Sequence, residues 1–192
     1  MFEELSLHIL DVAMNSVAAQ ARTVQIMIGE YARSDRLSVR IQDDGRGMDA
    51  DTLKRVLADR TTTKRSRKKD IGLGLALLRQ TAEMCGGKFE VRSTPRMGTT
   101  VTASMRLSHV DRPPLGDLNA TILALCAANP AVDVQLHYLS DTEQFHFSSK
   151  EPAEKKAASR PGRIWSGEEK TNYEPGRTQK VERESATAGC LA

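Results

Sequence analysis

The stretch Leu37-Ser-Val-Arg-Ile-Gln-Asp-Asp-Gly-Arg-Gly-Met48 decides how the chain is read. Leu37, Val39 and Ile41 alternate with Ser38, Arg40 and Gln42, the period of a strand with one buried face. The strand stops at Asp43, and Gly45 and Gly47 follow. Glycines let the backbone approach a ligand closely. An Asp buried at such a place accepts a hydrogen bond from an exocyclic amine. An ordinary acidic turn has the same composition, so the stretch takes its meaning from its neighbours.

Upstream, Leu5, Ile9, Ala13 and Val17, with Leu10 and Met14, recur at helical spacing, and Val24, Ile26 and Ile28 alternate as a second strand. Downstream, Asp51 to Leu57 reads as a short helix with Asp49 as its N-cap. Residues 59–70 are polar and basic and read as a loop. Leu73 to Cys85 reads as a helix that stops at Gly86-Gly87. Phe89 to Ser93 and Thr100 to Leu107 read as strands around a turn at Pro95 to Gly98. Pro113-Pro114 marks a boundary. Beyond it come a helix over Leu118 to Ala128 and a hairpin built from Val132 to Tyr138 and from Phe145 and Phe147.

Two further patterns flank the Asp43 stretch. Asp11 and Asn15 are one helical turn apart and share a face with His8, and the small Ala18 and Ala19 continue it. A carboxylate with an amide oxygen suits a hard cation such as Mg²⁺, or a water to be polarised. A solvated polar face would look the same. The other pattern is Gly72-Leu73-Gly74-Leu75 at the opening of a helix. Free N–H groups and the positive end of the helix dipole favour phosphate there. The loop before it carries Arg60, Lys64, Arg65, Arg67, Lys68 and Lys69, with Thr61 to Thr63 among them, and such cations can clamp a triphosphate. It holds no Gly-x-x-x-x-Gly-Lys-Ser/Thr motif and is not a P-loop.

Composition bounds the alternatives. The chain has 192 residues, 28 basic and 25 acidic, and a net charge of +3, too little to imply a nucleic-acid partner by itself. The basic stretch 60–69 has no interleaved aromatics for base stacking, which disfavours nucleic-acid binding. The longest apolar run, Ile122 to Ala128, has seven residues, whereas a membrane helix needs about 20. The start Phe2-Glu3-Glu4 lacks the pattern of a secretory signal, and Cys85, Cys126 and Cys190 have no metal spacing. A cytoplasmic setting is expected. Residues 149–192 hold 16 charged residues, four Gly and three Pro, so a disordered tail is expected there.

Together the three patterns resemble the GHKL ATPase superfamily, which includes gyrase B, the heat-shock-protein-90 chaperones, MutL and the catalytic domains of histidine kinases. Asn15 matches the N-box Asn, Asp43, Gly45 and Gly47 the G1 box, and Gly72 and Gly74 the G2 box. Gly98-Thr99 resembles the family's late Gly-Thr, whose Thr supports the adenine-reading Asp. The resemblance covers about residues 3–107. It implies an α/β class and a two-layer sandwich of the Bergerat type over 1–107; the patterns beyond it add a small helix-plus-hairpin appendage over 108–148 and the tail over 149–192.

The resemblance also implies ATP and Mg²⁺ as cofactors. Asn15 would be the metal ligand, and nucleotide contacts would come from Asn15, Asp43, Gly45, Gly47, Met48, Thr63, Lys64, Gly72, Leu73, Gly74, Leu75 and Thr99. More narrowly, the chain is similar to short stand-alone bacterial ATPases labelled histidine kinase-like or anti-sigma-factor-like. The partner so implied is a regulatory protein: a sigma-factor-like protein, a response regulator or a hydrogenase-associated protein. By superfamily analogy alone a two-fold homodimer is an option.

The chain departs from the family pattern in three ways. The family's base is often a Glu four residues before the N-box Asn, and here that position is Asp11, one methylene shorter. Asp11 as the catalytic carboxylate tilts the reading toward hydrolysis or Ser/Thr phosphorylation. The lid reads Leu57-Ala-Asp-Arg-Thr-Thr-Thr-Lys64, keeping threonines but lacking the Phe-Phe of related short ATPases. No dimerising hairpin with a phospho-acceptor His precedes the unit, so a complete sensor kinase is not expected. The leading expectation is an ATP-dependent protein kinase or ATPase passing the γ-phosphoryl to a partner or to water. The alternative is a non-catalytic, ATP-dependent partner-binding switch.

Overall fold

The computed structural model describes residues 4–58 and 73–151. Its elements are α1 (Leu5–Ala18), β1 (Thr23–Tyr31), β2 (Arg36–Asp43), α2 (Ala50–Ala58), α3 (Leu73–Met84), β3 (Lys88–Thr94), β4 (Gly98–Arg106), α4 (Leu118–Ala128), β5 (Asp133–Ser140) and β6 (Gln144–Ser148). One six-stranded sheet runs in the order β3-β4-β2-β1-β5-β6. Every neighbouring pair is antiparallel except β1 and β5, which run parallel.

The period-2 alternation puts one side of each strand into the core. Val24, Ile26 and Ile28 of β1, Leu37, Val39 and Ile41 of β2, and Val134 and Leu136 of β5 are all buried on the helix side. Leu5, Ile9, Val12 and Ala13 of α1, Leu78 and Ala82 of α3, and Leu118, Ile122 and Leu125 of α4 close that core. The architecture is a two-layer α/β sandwich, with helices on one face of the sheet. Among the described residues no helix is long and apolar enough to cross a membrane.

Residues 108–148 are an appendage in sequence but continuous with the sheet in structure. β5 pairs with β1 from Thr23↔Asp133 to Glu30↔Ser140, and α4 adds to the same core. The segment also completes α1. That helix starts at Glu4 without a side-chain cap. Its first free N–H groups are met by backbone instead: Leu5 N donates to Pro114 O (3.0 Å) and Ser6 N to Leu115 O (2.9 Å). Asp117 then caps α4 by accepting from Ala120 N at 2.9 Å.

Asp49 caps α2. It accepts from Thr52 N at 2.7 Å, and that hydrogen bond holds its carboxyl below the ordinary carboxylate value. Asp35, in the β1–β2 turn, takes Ser108 N (2.7 Å) and Arg106 Nε (3.0 Å), pinning the end of β4. The expected loop over 59–70 and nearly all of the expected tail over 149–192 lie outside the described residues.

Candidate nucleotide site

Asp43 is the last residue of β2, and the strand's parity turns its side chain toward the helices, where it is 8% exposed. A carboxylate there must be hydrogen-bonded. Its Oδ1 accepts from Gly45 N (2.9 Å) and Thr99 N (3.2 Å), and its Oδ2 accepts from Ser16 Oγ (2.8 Å). Three donors from three separate segments therefore fix the group. Among the described residues Oδ2 has one hydroxyl donor, and it retains lone-pair capacity for another.

The adjacent Asp44 does a different job. It is exposed, and its Oδ1 accepts from Arg22 N (2.7 Å) and Thr23 N (2.9 Å), tying the start of β1 to the end of β2.

The glycines around Asp43 are there for space. A Cβ on Gly45 would lie 2.8 Å from Ala19 O and 3.0 Å from Asp43 Oδ1. Gly47 sits at φ +62° with Thr94 O where a side chain would start, and Gly98 at φ +97° with Asp43 O in that position. Backbone bonds close the loop onto α1 and onto the β3–β4 turn: Arg46 N donates to Ala19 O (2.9 Å) and Arg96 N to Arg46 O (2.7 Å).

Ser93 is the second tie. Its hydroxyl donates to Gly98 O (3.0 Å), accepts from Met48 N (2.8 Å) and lies 2.9 Å from Thr99 Oγ1. Thr99 thus reaches Asp43 through its amide, while its hydroxyl pairs with Ser93.

Asp11 and Asn15 lie on α1, the helix that also supplies Ser16 to Asp43. Asp11 is exposed, Asn15 half-buried, and His8, one turn earlier, is buried at 4% exposure. Gly74 is buried, and a Cβ on it would overlap Asp11 Cβ. The start of α3 is therefore pressed against α1 at Asp11. Leu75 is half-buried and packs on the core. The structure thus gathers Asp43, Gly45, Gly47, Met48 and Thr99 into one hydrogen-bonded cluster with the C-terminal half of α1. It sets Gly74 against Asp11. Thr63, Lys64, Gly72 and the side chain of Leu73 lie outside the described residues.

Ser16 and Ser93 escaped the sequence reading. Ser16 carried a detectable mark, a polar residue at a core position of the α1 pattern immediately after Asn15. Ser93 had none, since a serine at the end of an edge strand is ordinary.

A probable C4-dicarboxylate sensor kinase of Halalkalibacterium halodurans is 33% identical over 88 residues, 46% of this chain and 16% of the relative. Sporulation kinase D of Bacillus subtilis is 28% identical over 100 residues, 52% of this chain and 19% of the relative. The matched stretch thus spans less than a fifth of either curated relative. The crystal structure of the N-terminal domain of a DNA repair protein superposes with a TM-score of 0.52 at 14% identity. It covers 76% of this chain and 52% of that one, a likeness of fold alone. A family model described as histidine kinase-, DNA gyrase B- and HSP90-like ATPase matches residues 2–109, more than half of the chain, and the chain belongs to that family.

Proposed function

We propose that the chain binds ATP with Mg²⁺ between α1, the Asp43 loop and the 59–72 segment, and passes the γ-phosphoryl to a partner protein or to water. The observation that carries this reading is the Asp43 carboxylate. It is buried and fixed by Ser16, Gly45 and Thr99, and its Oδ2, with one donor among the described residues, keeps lone-pair capacity for another. An adenine amine is a donor of the kind such an oxygen selects. Discrimination against a purine lacking the amine follows, because the carboxylate would be left under-satisfied in a buried place.

Asp11 and Asn15 supply a carboxylate and an amide oxygen one turn apart on a face that reaches solvent, a donor set that fits Mg²⁺. Asn15 would hold the ion, whose charge offsets that of the phosphates. Asp11 would take the proton of the attacking hydroxyl or water as its oxygen bonds to the γ-phosphorus. The bond from that phosphorus to the β–γ bridging oxygen breaks, and ADP leaves. The cations of 60–69 would stabilise the transferring phosphoryl.

Calorimetric titration of ATP–Mg²⁺ tests the adenine site. The wild type should bind saturably, and Asp43→Asn, which presents an NH₂ group or loses its lone-pair match, should weaken binding at least about 100-fold. Equal affinity in a folded Asp43→Asn protein would overturn the assignment.

A second reading, a non-catalytic switch, is favoured by one feature. The helix bearing Asp11 and Asn15 is held at its start by Pro114 and Leu115, so the 108–148 segment is physically joined to the nucleotide site. Under that reading nucleotide binding alters the surface of 108–148 without turnover. Asp11→Ala discriminates the two. Loss of phosphate release or transfer with retained affinity supports chemistry, whereas partner release that follows ATP binding in that variant supports the switch.

A further inference from the structure

The sheet has a second face, turned away from the helices and from Asp43. Strand registers place one row of side chains straight across it: Glu90, Thr102, Arg40, Met27, His137 and His146. The row ends in two histidines directly opposite each other on β5 and β6, with ring centroids 4.4 Å apart and planes tilted by 51°. Cross-strand partners have Cβ atoms about 4.5–5.5 Å apart, close enough for two imidazoles to share one ion. Glu151 Oε1 lies 3.7 Å from His146 Nδ1. The nearest cation in the row, Arg40, is two strands away, with its guanidinium on Gln42 Oε1 at 2.9 Å.

We propose that His137 and His146 form a two-imidazole site for a borderline divalent transition-metal ion, with Glu151 as the carboxylate that orients His146. Among the described residues no set of three or more His, Cys, Asp or Glu side chains converges as a metal cage, so water completes the coordination. Imidazole nitrogens suit Zn²⁺, Ni²⁺ and Cu²⁺ and not Mg²⁺ or Ca²⁺.

The state of the ligands suits the task. At 3.7 Å Glu151 Oε1 makes no hydrogen bond to His146 Nδ1, but its charge favours the proton on that nitrogen and leaves Nε2 for the metal. The ion would cross-link β5 to β6, the hairpin at the sheet's outer edge. The site is separate from the nucleotide pocket. Met27, the β1 partner of His137, lies three residues along from Val24, the partner of Asp43, or about 10 Å, and on the opposite face.

Ni²⁺ titration of the full chain, followed by histidine ring resonances and by the thermal unfolding midpoint, tests this. Substoichiometric Ni²⁺ should broaden the His137 and His146 rings before those of His8 and His109, and should raise the midpoint in a saturable way. His146→Gln should weaken Ni²⁺ binding at least about tenfold, and Glu151→Gln by about tenfold. The cysteines remain in each variant, so thiol binding cannot mimic the difference.

Should His137→Gln perturb folding, His146→Gln on the edge strand β6 still decides. Equal Ni²⁺ isotherms for folded wild type and His146→Gln, or broadening that begins at other histidines, would overturn the proposal. Asp43→Asn should leave the Ni²⁺ isotherm unchanged, which keeps this outcome independent of the nucleotide assignment.

Discussion

Asp43 and Asp11 are both single carboxylates at the same candidate site, and the fold treats them in opposite ways. Asp43 is buried and receives hydrogen bonds from α1, from its own loop and from β4. Asp11 is exposed, and Gly74 of α3 is pressed against its Cβ. A group that recognises by hydrogen bonding must be desolvated and held still, since its selectivity is the penalty for leaving it unmatched. A group that accepts a proton needs access to the reacting atom more than rigidity. On this view the β2 end would store stability and recognition together, whereas the Asp11 carboxylate would add little stability and carry reactivity.

The largest test falls on the Asp43 side. Gly98→Ala places a methyl into Asp43 O at a φ of +97°, where an L side chain is strained and no rotamer relieves the overlap. It should cost about 2–4 kcal/mol in urea unfolding and abolish nucleotide binding together. A stable Gly98→Ala protein that binds ATP normally would mean that Asp43 does not depend on the β4 start.

Ser16→Ala is the next. It removes the hydroxyl from Oδ2 and leaves the two amides on Oδ1, so about 1.5–3 kcal/mol of stability should go, read from the denaturation midpoint. ATP affinity should fall by about tenfold or more as the carboxylate loses its fixed orientation, each 1.4 kcal/mol being about a factor of ten. An unchanged midpoint would show that Asp43 finds a replacement donor, and the contrast with Asp11 would shrink.

Gly74→Ala probes the other side. The methyl would overlap Asp11 Cβ, which is fixed to the α1 backbone and cannot swing away. Overpacking costs about 1–3 kcal/mol, and the better helix propensity of Ala returns up to about 1 kcal/mol, so the net loss should be about 1–2 kcal/mol. Phosphate release should fall more than nucleotide affinity, because α3 shifts relative to Asp11 while the Asp43 cluster stays intact. Equal losses in both would place Gly74 in the recognition half.

The contrast also explains what could be read from the chain. The elements were legible because alternation and helical spacing record burial on one face, as in Leu37 to Ile41 and Leu5 to Val17. Asp43 and its glycines were legible because close approach admits few residue types. Ser93 was not, because its role as a tie between Met48, Gly98 and Thr99 depends on three segments meeting in space.

The parallel pairing of β5 with β1 was equally hidden. An alternating strand says which face is buried but not which neighbour it joins. The same holds for the start of α1. A helix without a capping side chain reads as frayed until Pro114 and Leu115 are seen to supply the missing acceptors.

The smallest expected change in stability is also the sharpest test of the comparison. Asp11 lies mid-helix and exposed, with the start of α3 against its Cβ at Gly74. Replacing it by Ala removes a poor helix former and adds the best one, so the midpoint should move by no more than about 0.5 kcal/mol, in the stabilising direction. Nucleotide affinity should stay within about threefold of wild type, because Asp43 and its partners are untouched; threefold is about 0.7 kcal/mol by the same conversion. Turnover, followed as phosphate release or transfer to a partner, should fall to background. A destabilisation as large as that of Ser16→Ala would make Asp11 a structural residue and erase the division of labour. Retained turnover would keep the division but move the chemistry to another group.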